Sequence, residues 1–362
     1  MSGTSLDGVD AAFIETDGEK IFRFGPNICV NFSLAERTVL KDATLAALKW
    51  KFKGPHPDFE TAEMVLHNVH MKAYQCLRDE YPDWIDALNL VGFHGQTLIH
   101  RPPQGQIIGQ TLQIGDGEKL ASALGVPVYY DFRAADVKAG GHGAPLAPIY
   151  HKALADLAAL SLPVSVLNIG GVGNVTCITE QGVIAASDTG PGNGPLDLWI
   201  ESKGLGYFDL GGQHAMAGIP DFERINIWLG EKFFQKPVPK SADRYDFDVL
   251  DDMIGMSAEN GAATLAAFTC LAVSHTLSKL KEKPGSLIIC GGGRHNIAMR
   301  LMLLESLNCD VLTAEDVGWN SDALEAQAFA YLAVRSKRDL PLSFPRTTGV
   351  KTPQRGGILA YP

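Results

Sequence analysis

The most constraining feature of this sequence is a pattern that occurs twice: a glycine-rich loop, an outgoing strand, a tight turn and a returning strand. The first copy opens the chain with the loop "MSGTSLDGVD", followed by predicted strands at 9–14 and 20–24. The second copy begins in "LNIGGVGNVT" and ends in "SDTGPGN". Self-similarity of this kind predicts two related units. Because strand patterns alternate with helical patterns, such as those at 33–50 and 57–80, we expect an α/β fold.

The two copies differ at their beginnings. An apolar strand at 164–169 leads into the second loop, and the first loop has no counterpart of it in this sequence. A strand in that place would have about six to eight residues. We therefore expect the native polypeptide, or its functional relatives, to extend upstream of Met1. The duplication predicts an N-terminal domain over 1–147 and a C-terminal domain over 148–362.

Length and composition exclude several classes of protein. A chain of 362 residues is long enough for two domains, each with its own core. The formal net charge of −10 argues against non-specific binding to nucleic acid or anionic membranes. The six cysteines form no C-x-x-C pair, which argues against a zinc site or a disulfide framework. We see no leader and no apolar run near the roughly 18 residues that cross a bilayer, and expect a cytoplasmic protein.

Three glycine-rich loops follow predicted strands, at 3–8, 170–174 and 291–296. Glycines let backbone N–H groups approach and surround phosphate oxygens, because no Cβ blocks the anion. One such loop alone is better explained by a plain tight turn, but three loops, two of which open the related halves, favour a phosphate ligand. Neither G-x-x-x-x-G-K-[ST] nor a complete G-x-G-x-x-G opening a helix is present, which argues against the P-loop and Rossmann classes.

Two carboxylates stand at positions suited to chemistry. Asp188 lies at the end of a predicted strand among glycines, where it could act as a general base towards a bound water or hydroxyl. Its alternative role is to cap the helix that begins near Pro195. Glu325 lies near the start of a helix predicted over 322–335, with its N-cap at Asn320 or Ser321, and its alternative role is a solvated acid that complements the helix dipole.

Polar side chains cluster in two further segments, "GFHGQT" and "DFRAADVKAGGHGAP". Such sets of donors and a carboxylate suit a polar ligand such as a sugar or a sugar acid, and Arg133 could bind a carboxylate with two hydrogen bonds. The alternatives are a structural role for His94 and a salt bridge from Arg133 to Asp131 or Asp136.

Seven segments in order resemble one family: "MSGTSLDGVD", "GFHGQTLIHRP", "DFRAADVKAGGHGAPLAP", "LNIGGVGNVT", "SDTGPGN", "CGGGRHN" and "GWNSDALEAQAFAYLA". The chain resembles the anhydro-N-acetylmuramic acid kinases, bacterial sugar kinases of the actin, hexokinase and Hsp70-like ATPase superfamily. The resemblance implies two ribonuclease-H-like α/β domains that flank an ATP and sugar cleft, and a homodimer. It covers essentially the whole chain.

The resemblance also implies a reaction. ATP phosphorylates O6 of 1,6-anhydro-N-acetylmuramic acid while water opens the anhydro bridge at C1, which gives N-acetylmuramate 6-phosphate and ADP in the recycling of peptidoglycan. Asp188 corresponds to the base that activates the water, and Glu325 would orient the water or the sugar. Mg²⁺ would accompany the phosphates. Asp7 is the candidate metal contact, through water.

Carried over residue by residue, the resemblance assigns two sets of contacts. The ATP-binding residues are Gly3, Thr4, Ser5, Leu6, Asp7, Gly8, Val9, Asp10, Gly170, Gly171, Gly173, Asn174, Gly291, Gly292, Gly293 and Asn296. The substrate-binding residues are His94, Gln96, Thr97, Arg133, Asp136, His142 and Gly143. The segment "PKSADRYDF" departs from the family pattern: it retains Arg244, but the neighbours of that residue differ.

Other functions stay open at this point. In a kinase for an ordinary sugar, Asp188 would deprotonate a sugar hydroxyl instead of water. An ATP-dependent sensor or chaperone would need a partner-binding appendage, and no long linker or extra domain is visible. A plain glycosidase would leave the three glycine loops unexplained.

Overall fold

Strands and helices alternate along the chain, and the α/β class expected from the sequence is confirmed. The computed structural model describes residues 1–3, 5–103, 105, 107–182, 184–242, 246–280 and 283–362. It divides the chain into two compact parts: unit 1 contains Met1–Leu157 and Asp322–Pro362, and unit 2 contains Ala158–Ser321.

The first segment of unit 1 opens with a long hairpin and continues with helices and short strands. Its elements are β1 (Gly8–Thr16), β2 (Ile21–Asn31), α1 (Leu34–Trp50), α2 (Glu60–Glu80), α3 (Pro82–Asp86), β3 (Val91–Phe93), β4 (Gln96–Arg101), β5 (Gln110–Ile114), α4 (Gly117–Leu124), β6 (Val128–Tyr130), α5 (Ala134–Lys138) and α6 (Pro148–Leu157). The predicted hairpin and the two long predicted helices are confirmed as β1, β2, α1 and α2. A capping box between Ser33 and Glu36 fixes the start of α1, since each residue satisfies a backbone N–H of the other.

Unit 2 begins with the second copy of the repeated pattern. Its elements are β7 (Val164–Ile169), β8 (Val172–Ile178), β9 (Ile184–Pro191), α7 (Gly194–Ser202), α8 (Gln213–Ala217), α9 (Phe222–Leu229), α10 (Lys232–Gln235), α11 (Ala258–Ser278), β10 (Ser286–Cys290), α12 (Ile297–Ser306) and β11 (Asp310–Thr313). The five strands form one sheet in the order β9-β8-β7-β10-β11. β8 is antiparallel to both β7 and β9, and β10 is parallel to both β7 and β11. This order agrees with the ribonuclease-H-like domain expected above.

The chain returns to unit 1 after residue 321. This last segment contains α13 (Leu324–Lys337), α14 (Pro345–Thr348) and β12 (Ile358–Ala360). α13 packs against β1 and β3, and β12 pairs with β6 in an antiparallel arrangement. The division therefore differs from a simple boundary at 147/148, because residues 322–362 complete the core of unit 1 and not that of unit 2.

The strands of unit 1 form three small sheets among the described residues. β1 pairs with β2, β4 pairs with β5, and the third sheet has the order β12-β6-β3. β3 and β6 are parallel. α13 also holds the tip of the first hairpin, where the Arg335 guanidinium donates to the Gly18 carbonyl at 2.7 Å and the Tyr331 hydroxyl donates to the Glu19 carbonyl at 3.2 Å.

Two local expectations are wrong. The N-cap of α13 is Ala323, which makes no side-chain capping bond, and not Asn320 or Ser321. Among the described residues, one helix does reach the length and apolarity of a membrane span: α11 has a mean hydropathy of 1.3 over a window of 18 residues. Because 78% of that window is buried, α11 is a core helix of unit 2 in this structure.

Candidate active site

The first glycine loop is held in place by a buried glutamine. The Gln96 amide accepts a hydrogen bond from the Ser2 hydroxyl and donates one to the Gly3 carbonyl at 3.2 Å. Leu6 adopts a left-handed backbone conformation with φ of 57°, and its N–H donates to the Gly3 carbonyl at 3.2 Å. Gln96, predicted as a substrate contact, is thus positioned as an anchor of this loop.

The remaining residues of the first loop divide between core and surface. Leu6 and Val9 are buried in the core of unit 1, so their side chains fix the loop to that core. The Asp7 side chain is exposed and lies 3.7 Å from the Arg37 guanidinium. Ser5 is exposed as well. Thr4 lies outside the described residues.

Arg133 is fixed by two of the other predicted substrate residues. The Arg133 Nε donates to His94 Nε2 at 3.2 Å, and a terminal nitrogen of the same guanidinium donates to the Gly143 carbonyl at 2.8 Å. Burial, with the charge of Arg133 next, holds the pKa of His94 well below its usual range. The ring is therefore neutral, and its Nε2 acts as an acceptor. His94 therefore positions Arg133. As a neutral ring it carries no positive charge that would attract an anion away from Arg133.

Asp136 is the centre of a second buried network. Its carboxylate accepts hydrogen bonds from the Gly143 N–H at 2.7 Å, from the Thr348 hydroxyl at 2.7 Å and from the Ser343 hydroxyl. The backbone N–H of His142 donates to the Thr348 carbonyl at 2.7 Å. The structure thus joins Asp136, His142 and Gly143 to the C-terminal segment, and Gly143 joins this network to Arg133. Thr97 is engaged separately, as an acceptor for the Gln113 amide at 3.2 Å.

Three carboxyl groups in the described part of unit 1 have raised pKa values, those of Asp10, Asp131 and Glu325. Burial raises the pKa of Asp10, which lies on β1, although a hydrogen bond with the Cys29 thiol opposes the shift. Desolvation also raises the pKa of Glu325, and the charge of Arg133 opposes that shift. The Glu325 side chain is exposed at the start of α13. Glu325 is therefore accessible to a ligand and coupled electrostatically to Arg133.

The second glycine loop of the chain lies against the loop that follows β9. Asn193 N–H donates to the Gly170 carbonyl at 2.7 Å, and the N–H groups of Gly192 and Gly194 donate to the Gly171 carbonyl at 3.1 and 3.2 Å. A Cβ on Gly192 would lie 2.2 Å from the Gly170 carbonyl oxygen, so the close approach of the two loops requires glycine there.

The glycines of the three loops fall into two groups when a Cβ is built on each. At Gly8, Gly173, Gly291 and Gly293 the added atom would lie 2.1 to 2.5 Å from a neighbouring protein atom, so these glycines are required by packing. At Gly3 and Gly170 the nearest atom is 3.6 Å away, and at Gly292 it is 3.5 Å away. Packing alone does not require glycine at these three positions. Such open glycines leave the backbone accessible to a phosphate group.

Asn296 and Asn174 have different roles. The Asn296 side chain caps α12 through the Met299 N–H, so it fixes the third loop to a helix start. Asn174 lies on β8 directly opposite Asp188 on β9. The second loop and the candidate base therefore lie at the same end of the unit 2 sheet.

Asp188 is oriented from a neighbouring segment. Its Oδ2 accepts a hydrogen bond from the Ala242 N–H at 2.8 Å, and its own N–H donates to the Lys240 carbonyl at 2.9 Å. α7 begins after Asn193, so the described contacts of Asp188 are not those of a cap for that helix. A carboxylate held by a backbone donor retains acceptor capacity for a water proton.

Comparison with known proteins decides the family. The sequence model of the anhydro-N-acetylmuramic acid kinase family matches residues 1–362. A curated anhydro-N-acetylmuramic acid kinase of Phenylobacterium zucineum (strain HLK1) is 46% identical over 363 residues, which cover 100% of this chain and 98% of that protein. The chain belongs to the anhydro-N-acetylmuramic acid kinase family. The resemblance inferred from the seven segments is confirmed.

A further curated protein and a solved structure are also similar to this chain. The anhydro-N-acetylmuramic acid kinase of Caulobacter vibrioides is 46% identical over 359 residues, which cover 99% of this chain and 96% of that protein. Among solved structures, the activator of 2-hydroxyisocaproyl-CoA dehydratase from Clostridium difficile matches 93% of this chain with 11% identity and a TM-score of 0.42, and 94% of that protein is covered. As a member of a kinase family the chain is an enzyme, and its reaction class is phosphoryl transfer.

Sequence reasoning missed one buried cation beside the candidate base. Lys240 is 3% exposed, and burial lowers the pKa of its ammonium to about 8. Its Nζ lies 4.2 Å from the centre of the Phe233 ring and 3.3 Å from the Phe233 carbonyl oxygen. Lys240 lies in the segment "PKSADRYDF". The departure of that segment from the family pattern was the one signal in the sequence that could have drawn attention to this lysine. Arg244 of that segment lies outside the described residues.

No group of three His, Cys, Asp or Glu side chains that could hold a metal occurs in the part of the chain that the structure describes. Mg²⁺ in nucleotide sites is bound largely by phosphate oxygens and water, with one or two protein carboxylates. The exposed carboxylate of Asp7, in the same loop as the open Gly3, fits that type of site.

Proposed function

We propose that this enzyme uses ATP to phosphorylate O6 of 1,6-anhydro-N-acetylmuramic acid while water opens its 1,6-anhydro bridge. The products are N-acetylmuramate 6-phosphate and ADP, and the reaction belongs to the recycling of peptidoglycan. The observation that carries the proposal is the family match over residues 1–362, together with relatives of that name at 46% identity.

Three open glycines support the assignment of the phosphate contacts. In unit 1, the loop around Gly3 would bind phosphate oxygens through its N–H groups, and Asp7 would contact Mg²⁺ through water. In unit 2, the loop around Gly170 would bind phosphates and that around Gly292 the adenosine. When bound with the nucleotide, Mg²⁺ neutralises charge on the phosphates.

The sugar contacts would lie in unit 1. Arg133 is oriented by His94 and Gly143, which supports a role in binding the carboxylate of the muramic acid. Glu325, coupled to Arg133 and open to solvent, would orient the sugar or the attacking water. Asp136 and His142 would maintain this arrangement through the C-terminal segment.

Asp188 would act as the base. The bond between C1 and O6 breaks as a water oxygen attacks C1, and Asp188 takes a proton from that water. The released O6 attacks the γ-phosphorus, and ADP leaves. This step is similar to inverting glycoside cleavage, with the γ-phosphoryl group in place of the proton that an acid normally supplies to the leaving oxygen.

The proposal also covers the state of the enzyme in the cell. All six cysteines are free thiols, which fits a reducing cytoplasm. We expect a homodimer, as the resemblance implies. A mass by light scattering close to twice the 38.9 kDa of the chain would support it.

The deciding experiment is a mass spectrum of the sugar after incubation with Mg-ATP and 1,6-anhydro-N-acetylmuramic acid in ¹⁸O-labelled water. We expect one ¹⁸O at C1 and a phosphate at O6, with ADP formed in equal amount. A reaction without ATP is the control and should leave the sugar unchanged. If the anhydro sugar stays unchanged and N-acetylmuramic acid supplied in a parallel reaction is phosphorylated, an ordinary sugar kinase is favoured, and ATP hydrolysis without any sugar product would favour a sensor.

A further inference from the structure

Lys240 of unit 2 is a buried cation that packing alone does not explain. Its Nζ donates to the Phe233 carbonyl and lies over the Phe233 ring, with the Phe234 ring 5.4 Å away. Burial in this apolar place lowers the pKa of the ammonium, which means that the folded chain disfavours its charge. A methionine would fill similar space without that cost. The lysine is therefore a candidate for a role in function.

The backbone next to this side chain pairs with β9 at the candidate base. The Asp188 N–H donates to the Lys240 carbonyl at 2.9 Å, and the Lys240 N–H donates to the Ser187 hydroxyl at 3.1 Å. Two residues further on, the Ala242 N–H donates to the Asp188 carboxylate at 2.8 Å. β9 is an outer strand of the unit 2 sheet, so the segment 240–242 lies along an edge that no described strand covers. This segment binds both the backbone and the carboxylate of Asp188.

Three basic side chains bind the carbonyl end of α10. Lys240 binds it as described above, and Lys279 of α11 donates to the Phe234 carbonyl. The Nε2 of His275, also on α11, lies 3.0 Å from the same Phe234 oxygen. The last carbonyls of a helix have no partner within the helix and attract cations. Of the three side chains, that of Lys240 belongs to the segment 240–242, so it joins the helix end to the backbone that binds the base.

The charge of Lys240 also acts on the candidate base. Among the described residues, the main charged groups that influence its ammonium are Lys279, Asp188 and Lys236. The two lysines lower the pKa of Lys240, and Asp188 raises it. The interaction of two titrating groups is reciprocal, so the ammonium favours the ionised form of Asp188. A base must be ionised before it can take a proton from water, so this interaction assists the role assigned to Asp188.

We propose that Lys240 is a positioning residue for Asp188, on which it acts through the segment that its side chain fixes and through its positive charge. The ammonium holds the segment 240–242 along β9, so that the Ala242 N–H stays bound to the Asp188 carboxylate. Loss of the ammonium should then lower the rate of reaction and leave substrate binding almost unchanged. The effect on rate rests on the proposed function, in which Asp188 is the base, whereas the effects on the Asp188 side chain and backbone do not.

The first test observes Asp188 directly and needs no turnover. It compares the parent, Lys240→Met and the control Lys232→Met, an exposed lysine of α10, as full chains with ¹³C at the aspartate carboxyl carbons. The NMR signal of Asp188 is the one that Asp188→Asn lacks. We expect its titration midpoint to rise by about half a pH unit or more in Lys240→Met alone. Amide hydrogen exchange at Asp188 and Ala242 should become faster by about tenfold or more in the same variant.

The second test measures turnover of the anhydro sugar against pH. We expect Lys240→Met to lower kcat at pH 7 by about tenfold, with KM for the sugar and the dissociation constant for ATP within about twofold of the parent. The acid midpoint of kcat/KM should rise together with the titration midpoint of Asp188. Lys240→Arg keeps the charge and should retain the acid midpoint of the parent. Thermal unfolding of each variant shows that it is folded.

Equal carboxyl midpoints and equal exchange in Lys240→Met and Lys232→Met would overturn the proposal. A lower kcat in Lys240→Met with the carboxyl midpoint and exchange of the parent would also overturn it, because the lysine would then not act through Asp188. If midpoint and exchange change as expected but the parent forms no labelled sugar phosphate, the positioning of Asp188 stands and the proposed function fails. If the parent forms labelled product and Lys240→Met equals it in rate, midpoint and exchange, the proposed function stands and the role of Lys240 fails.

Discussion

At the scale of single residues, the glycines of the three loops serve two different purposes. Gly293 is required by packing, since a Cβ there would lie 2.3 Å from the Ile169 side chain. Its neighbour Gly292 is exposed, and the nearest atom to its Cβ would be 3.5 Å away. The packing role of Gly293 and the binding role expected of Gly292 can therefore be tested separately by substitution. The sequence pattern alone does not distinguish the two glycines.

Substitution of these two glycines should give opposite results. We expect Gly292→Ala to leave the thermal midpoint within about 1 °C of the parent, because the added methyl group meets no close protein atom. The same substitution should weaken ATP binding by about tenfold. Gly293→Ala should lower the free energy of unfolding by about 2 kcal/mol through overpacking. Calorimetric titration with ATP and thermal unfolding of both variants measure the two effects. Equal ATP affinities in parent and Gly292→Ala would contradict a nucleotide contact at that loop.

The assignment of Asp188 as a base predicts a loss of rate without a loss of binding. In Asp188→Asn the amide oxygen can still accept from Ala242, but the side chain cannot take a proton from water. We expect kcat to fall by at least about 10²-fold, with the dissociation constant for ATP within about twofold of the parent. Asp248→Asn, an exposed carboxylate in the same unit, is the control and should retain full activity. A rate for Asp188→Asn close to that of the control would refute the role.

The buried ammonium of Lys240 predicts a pH dependence of stability. Burial lowers its pKa to about 8, whereas in the unfolded chain it stays protonated up to about 10.4. Between these values the unfolded chain binds the extra proton, so the stability of the folded chain rises with pH. We expect the free energy of unfolding of the parent to rise from pH 8 to pH 10 by about 2 kcal/mol relative to Lys240→Met.

Urea unfolding at the two pH values measures this difference. Lys232→Met, at an exposed position of the same unit, provides the control and should follow the parent. Parallel pH profiles for the parent and Lys240→Met would contradict the lowered pKa.

At the scale of elements, one carboxylate links α5 to the segment that contains α14. Asp136 accepts from Gly143, Ser343 and Thr348, and it is 2% exposed. The sequence predicted Asp136 as a substrate contact because it lies among polar residues and glycines. It could not reveal the two hydroxyl partners, which lie 207 and 212 residues away along the chain.

Asp136→Ala should therefore act mainly on structure. It leaves three donors without their acceptor in a buried place, and we expect the free energy of unfolding to fall by about 3 kcal/mol. Hydrogen exchange should increase first in 343–348. Asp83→Ala, on the exposed first turn of α3, is the matched control with an expected change within about 0.5 kcal/mol. A loss of sugar binding at full stability would instead show that Asp136 contacts the substrate directly.

At the scale of the whole molecule, the sequence predicted the two related halves and the long helices because these depend on local patterns. The hairpin at the start of unit 1 and the strands β7 to β9 each lie within about thirty residues. The return of 322–362 to unit 1 was not predictable in the same way, because β12 has three residues and its partner β6 lies more than 200 residues earlier. Whether a short segment forms a strand depends mainly on the sheet against which it packs, so its own sequence predicts little.

Removal of residues 322–362 tests this arrangement. Unit 1 would lose four large side chains of α13, Leu324, Phe329, Tyr331 and Leu332, each at most 6% exposed. At roughly 1.5–3 kcal/mol for each buried side chain, the loss is comparable with the entire stability of a typical domain. In a chain that ends at residue 321, we expect hydrogen exchange in β1 and β3 to become unprotected, while β7 and β10 of unit 2 keep their protection. If instead β7 and β10 lose protection and β1 and β3 retain it, the last segment belongs with unit 2, and the boundary expected at 147/148 would be restored.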